Sequence, residues 1–91
     1  MVLYYKIGNI EQLLLKAEEA MSEKKYTDTI NYINRALSIN PKEEDALYFK
    51  ALVYFKQNEL ELAEETLSNI EITDINQIYI KNLQDKILQS K

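Results

Sequence analysis

The chain has 91 residues, a net charge of −4, and neither Cys nor His. The missing Cys excludes a disulfide framework, a thiolate nucleophile and a Cys-ligated metal, and the missing His removes the commonest general base and metal ligand. The acidic balance makes nucleic acid and anionic membrane surfaces poor partners, because both reward clustered Lys and Arg.

The length suits one domain, residues 1–91. A single Gly and a single Pro leave little turn chemistry for a sheet, so the expected fold class is all-α. Residues 1–8 read as an N-terminal arm that closes on Gly8, either one helical turn or an extended segment. Its apolar run is too short to span a bilayer, and no basic residue precedes it, so it does not read as a signal peptide. Asn9 is then expected to cap a first helix, with Gln12 as its capping-box partner. Leu13, Ala17 and Ala20 form the inner stripe of that helix, and Leu14, Leu15 and Met21 widen its apolar surface.

After a polar turn at Ser22 to Lys25, Thr27 or Asp28 caps a second helix that runs to about Ile39 and carries Ile30, Ile33, Ala36 and Leu37. Pro41 cannot continue that helix but suits the first position of the next. With Asn40 as N-cap and Glu43 as box partner, a third helix is expected from Pro41 to about Lys56, and the tight junction demands antiparallel packing. Asn58 with Glu61 caps a fourth helix to about Ile70, and Asp74 with Gln77 caps a fifth to about Gln89 whose inner stripe is Ile80, Leu83 and Ile87. A rival fold, a plain three-helix bundle, requires Gln57-Asn58 to be helical.

A shift of 34 residues places Leu13 on Leu47, Ala17 on Ala51, Ala20 on Tyr54, Tyr26 on Leu60, Thr29 on Ala63, Ile33 on Leu67 and Ala36 on Ile70. Small residues meet small ones at Ala17/Ala51 and Thr29/Ala63, and bulky residues meet bulky ones at Leu13/Leu47, Tyr26/Leu60 and Ile33/Leu67. With Pro41 closing the first unit, this two-helix period resembles the tetratricopeptide repeat. The resemblance implies two antiparallel hairpins, residues 10–43 and 44–77, and a C-terminal capping helix over 75–89, together a short α-solenoid. Ile75 stands where the second closing Pro would be, so the array is expected to end there.

No catalytic constellation is legible, and neither a cofactor nor a metal is expected; Gly8 stands alone and cannot form a phosphate-cradling loop. Glu61 and Glu65 are four apart, but helical di-metal sites add His, so they read as a solvated face. From Gln57 to Ile80 there are acidic residues (Glu59, Glu61, Glu64, Glu65, Glu71, Asp74) and no Lys or Arg. That run either keeps an outer face soluble or meets a basic partner.

In the family that the repeat resembles, the first helix of each unit lines a concave groove. The resemblance places Leu14, Glu18 and Met21 there from the first unit, and Tyr48, Leu52 and Phe55 from the second. These last three share one face of the third helix, offset from its core stripe. Such a surface needs a cover: the fifth helix, the N-terminal arm, a partner segment or a second copy. Family members that clamp a C-terminal carboxylate use Lys and Asn at groove positions. Here Leu14, Glu18 and Tyr48 stand there, so that clamp is absent. The expected function is a non-enzymatic module that binds a peptide or helix of a protein partner through this groove. The alternative is a structural protein using the same groove for a homodimer or a larger complex. A cytoplasmic location is expected, with no nucleic acid and no membrane as partner.

Overall fold

Five helices follow one another in the computed structural model, which describes residues 2–91, with side chains from Asn9 onward. They are α1 (Val2–Ser22), α2 (Tyr26–Ile39), α3 (Glu44–Lys56), α4 (Leu60–Ser68) and α5 (Gln77–Gln89), and there is no strand among the described residues. The breaks fall near Lys24, Asn40, Asn58 and Thr73, as the pattern predicts. The three-helix alternative is excluded, because Asn58 adopts φ 62° and ends α3.

How the helices end differs from the expectation. Asn58 is not an N-cap; it sits one residue beyond Gln57, the C-cap of α3, in the left-handed region. The Asn58 N–H donates to the Phe55 carbonyl at 3.0 Å and the Glu59 N–H to the Tyr54 carbonyl at 2.8 Å. This pair of bonds is a Schellman closure, which satisfies carbonyls that the helix end would leave open. Lys24, 34 residues earlier, does the same at φ 61°: its N–H donates to Met21 at 3.0 Å and that of Lys25 to Ala20 at 2.9 Å. With the chain direction set this way, α2 starts at Tyr26, ahead of the expected caps Thr27 and Asp28.

Pro41 also does not open a helix. Asn40 is the C-cap of α2, extended at φ −140° and ψ 100°, the conformation that a following proline favours. Its side-chain oxygen accepts the Lys42 N–H at 3.1 Å, and the Glu43 N–H donates to its carbonyl at 3.1 Å. The Pro41-Lys42 turn therefore delays α3 to Glu44, where Glu44 and Asp45 place negative charge on the helix N-terminus.

The capping box before α5 is displaced by one residue from the expected Asp74–Gln77. The Asn76 N–H donates to Thr73 Oγ1 at 3.1 Å and the Thr73 N–H to Asn76 Oδ1 at 2.8 Å. Asn76 is long enough to act where Glu or Gln usually stands. At the other end of the chain, α1 runs unbroken from Val2 through Gly8, so Asn9 is not a cap and residues 2–8 are not a separate arm. One interior Gly costs about 1 kcal/mol of helix stability, too little to break a ladder of consecutive hydrogen bonds. A continuous helix does not fold back over its own face, which removes the arm as a groove cover. Any packing by the side chains of Val2 to Ile7, and Met1 itself, lies outside the described residues.

α1 packs on α2, α3 on α4, α2 on α3, and α5 closes the stack against α4 and α3. The result is a slab of 44 × 31 × 17 Å. Its core has two centres. One joins Ile10, Ala17, Ile33, Ala36, Ala46 and Val53; the other joins Leu47, Ala51, Ala63, Leu67, Ile70, Ile80, Leu83 and Ile87. Ala17, Ala51, Ala63 and Thr29 are all at 0% exposure, which is what close helix approach at the repeat positions requires. Thr29 is tolerated there because its hydroxyl donates to the Lys25 carbonyl at 2.9 Å, leaving no buried polar group unpaired.

Candidate interaction surface

The odd-numbered helices lie side by side, with α3 between α1 and α5. On α3, Tyr48, Leu52 and Phe55 are half-buried and pack beside the second core centre. On α1, Leu14 and Met21 are half-buried beside the first centre, Glu18 is exposed, and Leu15 is exposed as well. Of the six residues expected from the sequence, five are therefore split between the two core centres, and Glu18 joins neither. The three on α3 stay together.

α5 covers one end of that group. The Tyr79 ring stands edge-on to Tyr48, with centroids 5.0 Å apart and an interplanar angle of 88°, a favoured aromatic geometry. Tyr48 also neighbours Phe49, with centroids 6.4 Å apart. The Tyr79 hydroxyl donates to Glu44 in a short contact. That hydrogen bond to a carboxylate, together with burial and the nearby negative charge of Glu44 and Asp45, pushes the Tyr79 pKa up to about 12.

Glu44 is the hub of a polar network that sequence reasoning missed. Its other carboxylate oxygen accepts from Asn76 Nδ2 at 2.8 Å, and Nδ2 also donates to the Glu71 carbonyl at 2.9 Å. Asn76 is fully buried, and each of its side-chain atoms is paired. The network ties the start of α3 to the start of α5 across 32 to 35 residues of sequence. A buried Asn at a helix start was the one signal that could have exposed it, but the partner Glu44 reads locally as an ordinary first-turn acid. Along α5, a groove of about 680 Å³ is lined by the exposed Ile78, Lys81, Asp85 and Leu88, together with Ile72 of the α4–α5 connection and Glu64 of α4.

Stacked helical hairpins with paired small residues at a fixed period define an α-solenoid, a class whose faces bind other polypeptides. Residues 20–87, about three-quarters of the chain, match the tetratricopeptide repeat family, and the chain belongs to that family of protein–protein interaction modules. Comparisons with curated proteins and with solved structures gave no match. No helix among the described residues is long and apolar enough to cross a membrane.

Proposed function

We propose that the chain is a non-enzymatic adaptor or scaffold module that binds a helix or extended peptide of a partner protein along the inner face of α1 and α3. The observation that supports this is the trio Tyr48, Leu52 and Phe55, spaced i, i+4, i+7 on α3 and half-buried, with Leu14 and Met21 half-buried on the neighbouring α1. Their remaining exposed surface gains stability when a partner's apolar side chains cover it, at about 25 cal/mol per Å². Glu18, exposed on α1, adds a negative rim. The favoured ligand is therefore an apolar segment carrying a Lys or Arg, and a C-terminal carboxylate is disfavoured. The setting proposed is the cytoplasm, with neither nucleic acid nor membrane as partner.

Selection from a displayed peptide library tests this. The wild-type chain should enrich apolar peptides that carry a basic residue. The Leu52→Ala, Phe55→Ala double variant should bind the enriched peptides at least about tenfold more weakly, since loss of two anchors at the centre of an interface commonly costs more than 1 kcal/mol each. Glu18→Lys should reverse the charge preference. Unchanged binding by both variants would refute the assigned face.

A further inference from the structure

We propose that the outer face of α5 is a self-association surface, on which a second copy of this chain packs its own α5 antiparallel. Ile78, Lys81, Asp85 and Leu88 are spaced i, i+3, i+7, i+10, the a/d seam of a two-helix coiled coil, and all four line the groove on that face. The apolar ends of the seam are bare: Ile78 is 70% exposed and Leu88 is 61% exposed. Lys81 and Asp85 are exposed too, and neither enters an ion pair among the described residues.

The order of these residues is self-complementary. A two-fold axis passing at residue 83 sets Ile78 against Leu88 of the second copy and Lys81 against its Asp85, and the same two contacts recur on the other side of the axis. Isologous contact demands that kind of reciprocity. A parallel arrangement would instead set Lys81 against Lys81 and Asp85 against Asp85. Charge complementarity therefore selects both the occupant and its direction.

The repeat frame argues against the obvious rival, a further hairpin helix of the usual kind. Continuing the 34-residue shift places Lys81, Asp85 and Leu88 where Leu47, Ala51 and Tyr54 meet α4 in the preceding unit. The buried alanine that allows close approach is thus an aspartate here, and the leucine is a lysine. An apolar helix docking there would bury two unpaired charges, whereas a second α5 pairs both. This surface is separate from the α1/α3 face discussed above and does not depend on it.

One helix pair buries less than the roughly 800 Å² per partner of a standard interface, so the dimer is expected to be reversible. Sedimentation equilibrium from about 10 µM to about 1 mM, the range a small interface calls for, should show the mass rising from the 10.7 kDa monomer toward its double. The Ile78→Glu, Leu88→Glu variant should weaken association about tenfold or more, and so should Lys81→Asp or Asp85→Lys alone. An equimolar mixture of the two single charge variants should associate like wild type, because the mixed pair restores both ion pairs. Far-UV circular dichroism and melting confirm that each variant stays folded, which exposed positions permit. A mass fixed at that of the monomer throughout would overturn the proposal. So would a dimer that survives the charge reversals, or a mixture that fails to recover.

Discussion

Replacing Asn76 by Ala removes the residue that joins the α4–α5 connection to α3. Asn76 is at 0% exposure and makes three side-chain hydrogen bonds: from the Thr73 N–H, to the Glu71 carbonyl and to the Glu44 carboxylate. Thr73 and Glu71 are exposed, so water replaces their lost partner and each bond costs no more than about 1 kcal/mol. The charge-assisted bond to half-buried Glu44 is worth about 1.5 kcal/mol or more. The sum is a loss of about 2–4 kcal/mol, non-additivity included. For a domain of this size that lowers Tm by about 10–20 °C. Urea unfolding followed by circular dichroism measures the loss directly. Asn76→Asp provides the control: it keeps an acceptor for the Thr73 N–H but sets a second carboxylate beside Glu44. Burial and like charge raise the pKa of the introduced group above its unfolded value of about 4. The folded state then binds more protons than the unfolded state in that window, so the stability of the variant falls as pH rises from about 4 toward neutrality. A loss under about half a kilocalorie for Asn76→Ala, below the usual cost of even one buried hydrogen bond, would refute the view that this network fastens α5.

Three further outcomes are expected. Ala51→Leu and Ala17→Leu should each cost about 1–3 kcal/mol in urea unfolding, because both alanines are fully buried where helices meet and the added atoms overpack the contact. Lys24→Gly should stabilise the fold by about 1 kcal/mol, since only Gly adopts φ 61° without steric cost, and Asn58→Gly should gain less because Asn tolerates that region; thermal melts rank the two. In an alkaline titration followed by tyrosine carbon shifts, Tyr79 should ionise near pH 12 while Glu44→Gln brings it back toward 10. Its folded pKa lies above the unfolded one, so its contribution to stability is complete below about pH 10 and is lost between 10 and 12.

The 34-residue period, the four chain breaks and the small positions Ala17, Thr29, Ala51 and Ala63 are properties of residue spacing along one helix or between neighbouring ones, and they are legible without coordinates. Spacing dictates which side chains share a helix face, and burying that face is the dominant favourable term in folding. Where each helix begins was not legible in the same way. Asn9, Asn40, Asn58 and Asp74 all carry a good N-cap side chain, yet the first lies inside α1, the next two end helices and the last falls inside the true box, one residue after Thr73. A cap is worth only about 1 kcal/mol, less than the packing that sets the chain direction. The link from Glu44 to Asn76 and Tyr79, the division of the groove residues between two core centres, and the open seam of α5 belong to the tertiary structure alone. The first joins side chains 32 and 35 residues apart in the chain, and local pattern carries no record of that meeting.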